Sequence, residues 1–306
     1  MSLTDAQPSH GQPSAALWML LASFFFASMG VCVKLASSHF NAFELVFYRG
    51  VVSALLMAWL MRARGIPLAT PVAAAQAWRS LVGVISLAAW FYAIGHLPLA
   101  TAMTLNYMSS IWVGAFIIGG GLLLGRAVSG QGALIAAVLA SFVGVVMILR
   151  PTLEQNQLFA GVVGLFSGLL AALAYLQVTT LGRLGEPAER TVYYFALACA
   201  LGGALGMAVG GVSSWDWGAA AWLLPIGVLA TGGQWCMTRA YSDGATLVVA
   251  NLQYSGIVFG ALYSLLLFGD QIPWIGWLGM LIITASGIMA TVLRARALPR
   301  TPAEEH

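Results

Sequence analysis

The chain has 306 residues, of which 60% are apolar and only 8% charged, and its formal net charge is +3. A soluble globular domain carries about 25% charged and roughly 45–50% apolar residues. The composition therefore excludes an ordinary soluble enzyme, a disordered chain and a nucleic-acid binder. The three scattered cysteines, Cys32, Cys199 and Cys236, exclude a disulfide framework and a CxxC metal site.

The chain opens with a polar stretch, 1–14, that holds no Lys or Arg. It lacks the basic start of a signal peptide, so the first span is expected to be retained. A bilayer core about 30 Å thick needs about 20 mostly apolar residues per spanning helix. Ten such stretches follow in order: Ala15–Lys34, Ala42–Met61, Trp78–Gly95, Ala100–Leu124, Gly132–Leu149, Phe159–Leu181, Thr191–Gly211, Ala219–Ala240, Ala245–Phe268 and Ile275–Leu293. Helices are required because lipid offers no partner to a free backbone N–H or C=O. Residues 295–306 read as a tail, and no gap is long enough for a soluble domain. The expectation is an all-α integral membrane protein of ten transmembrane helices.

Charge in the short loops sets orientation. With the N-terminus cytoplasmic, ten basic residues fall inside: Arg62, Arg64, Arg79, Arg126, Arg183, Arg190, Arg239, Arg294, Arg296 and Arg300. Only Lys34 and Arg150 fall outside, and Arg49 lies within a span. Both termini are therefore expected in the cytoplasm.

The chain also matches itself at an offset of about 145 residues. Glu44 aligns with Glu189, Tyr48 with Tyr193, Trp90 with Trp235, Asn106 with Asn251 and Ser110 with Ser255. Each unit, 15–150 and 159–294, holds five spans. An odd number makes the second unit enter the membrane from the opposite side. Inverted repeats of this kind are a recurrent transporter construction, because two similar halves can exchange conformations around a midplane site.

The stretch Phe43-Glu44-Leu45-Val46-Phe47-Tyr48-Arg49 opens the second span. Trp90-Phe91-Tyr92-Ala93 runs on to Leu97-Pro98-Leu99-Ala100-Thr101-Ala102, and Ala240-Tyr241 with Gly244-Ala245-Thr246 answers it in the second unit. In this order, over roughly residues 15–295, the chain resembles the EamA family of the drug/metabolite transporter superfamily. The resemblance implies ten helices in two five-helix units, termini inside, and transport of a small molecule in either direction. It departs from internal symmetry at one place: Tyr194 stands in the second unit where Arg49 stands in the first.

Arg49 is the one charge expected well inside a span, roughly 7–8 Å deeper than Glu44 at 1.5 Å per residue. Intramembrane charge is costly and marks functional sites. Arg49 either binds a substrate carboxylate or phosphate or has a structural role, pairing with Glu44 or capping carbonyls. Glu44 and Glu189 begin spans two and seven, where a carboxylate caps a helix N-terminus or takes part in gating or coupling. Asn106 and Asn251, with Gln177, Gln234 and Gln253, contact substrate or bond neighbouring helices. Trp90, Trp112, Trp235, Tyr92, Tyr107, Tyr175 and Tyr254 either wall a cavity or pack.

No Asp or Glu lies near mid-membrane, and His10, His39, His96 and His306 lie in tails or at span ends. A buried carboxylate or His proton relay is therefore not expected, nor a metal or other cofactor. Ser167 has no intramembrane His to activate it, which argues against an enzyme. No set of selectivity residues repeats around a pore, which argues against a channel. No proline lies deep in a span, so interrupted helices are not signalled. The expected function is secondary transport of a small polar or amphipathic metabolite across the inner membrane by a monomer or homodimer. Export of an amino-acid-like or drug-like compound is the first reading; uptake of a metabolite such as S-adenosylmethionine is the second.

Overall fold

A computed structural model describes residues 15–123, 136, 139–140, 143–147, 157–244 and 246–297. The N-terminal tail, residues 298–306 of the C-terminal tail and most of the expected fifth span, Gly132–Leu149, fall outside these residues, although 143–147 is helical and the last helix runs on to Ala297. Among the described residues every regular element is a helix. They run α1 (Ala15–Ala36), α2 (Ala42–Ala63), α3 (Ala73–His96), α4 (Leu99–Tyr107), α5 (Ser109–Leu123), α6 (Leu158–Arg183), α7 (Ala188–Gly210), α8 (Trp217–Ala220), α9 (Leu223–Asp243), α10 (Thr246–Leu252), α11 (Ser255–Phe268) and α12 (Trp274–Ala297).

Five of these, α1, α2, α3, α6 and α7, are long and apolar enough to cross a membrane. Their outward faces carry large apolar side chains: Trp59 is 69% exposed, Leu205 70% and Val209 92%. So continuous an apolar exterior suits lipid rather than water.

Local chemistry sets the helix ends. At the start of α2, Asn41 Oδ1 accepts from the N–H of Phe43 (2.9 Å) and Glu44 (3.1 Å), while Glu44 Oε2 accepts from the Asn41 N–H (2.7 Å). This reciprocal capping satisfies donors that a helix start leaves open. At the far end of α7, Gly211 turns the chain with φ +83°, a conformation that only glycine adopts at little cost.

The α2–α7 crossing is close enough for backbone contact. A Cβ added to Gly50 would lie 2.4 Å from Ala200 N, and one on Gly203 would lie 2.5 Å from Phe47 N. Where lipid removes most of the hydrophobic drive between helices, such small residues allow the contact that holds them.

Two interruptions differ from the continuous spans expected from the sequence. The expected Ala100–Leu124 span breaks at Met108, between α4 and α5. The expected Ala245–Phe268 span breaks at Gln253 and Tyr254, between α10 and α11. Both breaks occur without proline. Hydrogen bonds tighten there to three-residue spacing: Ile111 N–H to Met108 O (2.9 Å), Gly256 N–H to Gln253 O (3.0 Å) and Ile257 N–H to Tyr254 O (3.0 Å). Serine hydroxyls take up carbonyls that the breaks release. Ser255 Oγ donates to Leu252 O (2.7 Å), and Ser110 Oγ reaches across to Ala250 O (2.7 Å).

A third difference concerns α3. It begins at Ala73, five residues before the expected span. Arg79, counted with the cytoplasmic-side charges at the very start of the expected span, is therefore in the second turn of the helix and is 1% exposed.

Candidate functional site

The buried face of α3 carries Gln76, Arg79, Ser80, Gly83, Ser86 and Trp90. Their spacings of three and four residues place them along one side of a 3.6-residue helix. Arg79, Gly83, Ser86 and Trp90 of this stripe form one wall of a cavity of about 40 Å³, lined also by Phe26 from α1, Asn106 and Tyr107 from α4, Tyr175 from α6, Phe195 from α7 and Gln234 from α9. That volume holds ordered water or a small ion but no metabolite.

Arg79 dominates the wall. Its guanidinium carbon lies 3.8 Å from the centroid of the Phe195 ring, within cation–π range. Nη2 donates to Gln234 Oε1 (3.2 Å), while Nε and Nη1 have no partner. Gly83, one turn on, makes room: a Cβ there would sit 2.8 Å from Phe195 Cε2 and 3.2 Å from Arg79 Nη1. Two further buried donors, Trp90 Nε1 and Tyr107 OH, also lack partners. None of the residues lining the cavity is acidic.

Arg49 lies behind this wall. It is 1% exposed, its guanidinium carbon is 5.1 Å from the same Phe195 ring, and Nη1 donates to Cys199 Sγ (3.3 Å). It does not pair with Glu44, which faces the opposite way into the loop after α7. Arg49 is therefore not the single intramembrane charge that the sequence reading expected. Arg79 joins it on the same ring.

The expected site residues separate into groups. Trp90, Asn106, Tyr107, Tyr175 and Gln234 come together on the cavity. Asn106 Nδ2 donates to Ser167 Oγ (2.9 Å), joining α4 to α6. Gln253 stands one layer behind: Nε2 donates to Tyr175 OH (3.0 Å), and Oε1 accepts from Ser110 Oγ (3.3 Å) and Tyr241 OH (3.4 Å). Tyr175 also stacks on Tyr241, with centroids 5.3 Å apart. The remaining candidates stand off the cavity wall. Tyr92 stacks on His96 at the end of α3, Trp112 stacks on Phe116, Gln177 is half-buried and Tyr254 is buried. The backbone of Asn251 is helical, but its side chain lies outside the described residues.

Trp235 belongs to one end of the α2–α7 pair. There Arg64 Nη1 donates to Glu189 Oε1 (2.6 Å), and Trp235 Nε1 donates to the same oxygen (3.1 Å). Arg64 and Arg239 lie over the Trp235 ring, at 5.4 and 5.1 Å, and Trp18 packs edge-on to it. Beside this cluster Glu186 accepts from Thr70 Oγ1 (3.0 Å), Gln76 Nε2 (3.3 Å) and Arg190 Nη1 (3.1 Å), tying the loop before α3 to the start of α7.

At the opposite end Glu44 accepts from Ser213 N–H (2.9 Å) and Ser213 Oγ (2.7 Å), while Asn41 Nδ2 donates to Gly211 O (3.3 Å). Phe40, Tyr48 and Trp215 pack edge-to-face around this tie. The cavity thus sits between two sets of ties, one at each end of the crossing helices.

The sequence reading missed Arg79, Gly83, Ser86 and Phe195. The signal for the first three was present: one polar or small residue recurs at helical spacing from Gln76 to Trp90 in an otherwise apolar run.

Comparison with known proteins agrees with this arrangement. Residues 13–150 match the model of the EamA-like transporter family. The chain is 33% identical over 290 residues to the pseudopaline exporter CntI of Pseudomonas aeruginosa, across 94% of this chain and 96% of that protein. It is 29% identical over 280 residues to an uncharacterized transporter of Helicobacter pylori, across 89% of this chain and 92% of that one. A solved crystal structure of 17% sequence identity shares the fold, with a TM-score of 0.68 over 92% of this chain and 98% of its own. With an apolar helical exterior and a relative that matches nearly end to end, the chain belongs to the EamA-like transporter family.

Proposed function

We propose that this transporter is an exporter that moves a small metabolite-like compound out of the cell by alternating access. The observation that carries the reading is the cavity enclosed between the Arg64–Glu189 tie at one end of the α2–α7 pair and the Glu44–Ser213 tie at the other. A carrier needs a central site that reaches each side in turn, and breaking one set of ties while keeping the other provides that alternation. The relative named as an exporter supports the outward direction.

The ten-span, inverted-repeat arrangement fits this cycle. Glu44 and Glu189 occupy matching positions in the two units, 15–150 and 159–294, and each contributes to the tie at its own end. With both termini cytoplasmic, the Glu189 end faces the cytoplasm and opens to load cargo, and the Glu44 end opens to release it. Trp90, Asn106, Tyr107, Tyr175 and Gln234 contact the cargo, while Arg49 supports the wall from behind.

The test is mass-spectrometric comparison of cells and medium with and without the protein, followed by counterflow of the identified compound in proteoliposomes. A compound depleted inside and enriched outside, with saturable counterflow, is the expected result. Accumulation inside reverses the direction, and flux without counterflow replaces the carrier with a pore.

A further inference from the structure

We propose that the cavity selects an anionic cargo, a small molecule bearing at least one carboxylate, and that Arg79 is the residue that binds it. The proposal rests on the transport reading of the same cavity and adds the chemistry of the cargo.

Burying a charge is costly unless it is paired and hydrogen-bonded. Arg79 is 1% exposed, yet Nε and Nη1 have no partner and its one hydrogen-bond acceptor is the neutral Gln234 amide. The two ion pairs among the described residues join Arg64 to Glu189 and Arg190 to Glu186, leaving Arg79 without a carboxylate. Arg49, near the same Phe195 ring, has only a thiol as its hydrogen-bond partner. The cavity wall therefore carries positive charge that the protein itself leaves uncompensated. Trp90 Nε1 and Tyr107 OH add buried groups without partners on the same cavity. An indole N–H can only donate, and a guanidinium only donates. What is missing from the cavity is an acceptor with negative charge.

A carboxylate fits better than a cation or a neutral apolar molecule. A cation would meet Arg79 and Arg49 with no carboxylate to offset them. An apolar molecule would displace water from the cavity and leave the N–H groups unpaired, at the full desolvation cost of those donors. A carboxylate accepts charge-assisted hydrogen bonds from a guanidinium, which are shorter and roughly twice as strong as neutral ones. Phe195 on one face and Gly83 beneath hold the guanidinium in place for that contact. Arg79 is thus kept for the cargo rather than for the fold.

The experiment compares wild type, Arg79→Gln and Arg79→Lys for the compounds they move in cells, by mass spectrometry of cells and medium, with membrane abundance and the melting temperature of purified protein measured alongside. The expected cargo carries a carboxylate. Its flux falls by about ten- to a hundred-fold in Arg79→Gln, the loss of charge-assisted contact to one group. Arg79→Lys keeps part of the flux, because the charge remains while the planar fork is lost. Melting temperature in Arg79→Gln is unchanged or higher, because the substitution removes an unpaired buried charge; a structural arginine would give a lower one.

A neutral or cationic cargo overturns the carboxylate assignment while leaving transport intact. So does a carboxylate cargo that Arg79→Gln moves as well as wild type. A carboxylate compound that accumulates inside overturns export alone and leaves the cargo assignment standing. No change in any compound overturns both. Should Arg79→Gln fail to reach the membrane, Gly83→Ala gives the second readout. Its added methyl crowds Phe195 and Arg79 Nη1, so a raised KM for the carboxylate cargo supports the site and an unchanged one overturns it.

Discussion

Glu44 and Glu189 occupy matching positions in the first turns of α2 and α7, yet they hold their ends of the molecule by different physics. Glu44 is bound by neutral donors only: the Asn41 and Ser213 N–H groups and the Ser213 hydroxyl. It closes a capping box and a loop-to-loop tie. Glu189 follows Pro187, which supplies no side-chain cap, and its carboxylate goes to Arg64 and Trp235. One end is therefore held by backbone geometry and the other by charge. Two glutamates share a place in their helices, and the neighbouring loop decides what each does.

The two ends share one support, and removing it has the largest expected effect. Gly50→Leu would drive a side chain into the α7 backbone at Ala200, and overpacking already costs about 1–3 kcal/mol where the neighbours are side chains that can give. Both ties depend on that crossing, so no monodisperse folded protein is expected by size-exclusion chromatography.

Glu189→Gln is next. It removes the ion pair with Arg64, whose side chain is 43% exposed and partly screened by solvent. The expected loss is about 1–2 kcal/mol in thermal stability. A cysteine placed at Trp18 should also react faster with a membrane-impermeant maleimide, and an unchanged labelling rate would separate the tie from access.

The same substitution at the other end should do less. Glu44→Gln keeps an acceptor where a capping box accepts Glu or Gln, so melting is expected to move by less than about 1 kcal/mol. Equal effects at the two positions would sink the distinction between them. The smallest effect comes from salt. Raising ionic strength shortens the screening length from about 10 Å at 0.1 M to about 3 Å at 1 M. Maleimide labelling at the Glu189 end should rise modestly with salt, and labelling of a cysteine at Trp215, beside Glu44, should not.

Most of the helices were legible in the sequence because lipid makes a long apolar run nearly synonymous with a helix. The start of α3 was not, since Ala73 to Ala77 with Gln76 scores as a loop by hydropathy although alanine is the best helix former. That misplacement put Arg79 at the very edge of a span, among the cytoplasmic-side charges, instead of a full turn inside the helix. The internal match aligned Trp235 with Trp90, but the indole N–H of Trp235 found Glu189 at one end while Trp90 stayed on the cavity. The breaks at Met108 and at Gln253–Tyr254 escaped a search for proline because serine hydroxyls and three-residue hydrogen bonds stabilise them. Shared access to Phe195 was unreadable, since it joins residues of α2, α3 and α7 that only packing brings together.

The two interruptions lie against one another. Ser110, two residues past the first, bonds to Ala250 O and to Gln253 at the second. Gly256 admits the Tyr107 ring, and Gly260 admits the Met103 sulfur, so α11 follows the surface of α4. A bend at one joint therefore pulls directly on the other, as two elbows linked at the forearm must flex together. A conformation in which one joint has bent and the other has not would break those hydrogen bonds. The coupling between the two joints thus lies in one serine and one glutamine rather than in a signal crossing the length of the protein.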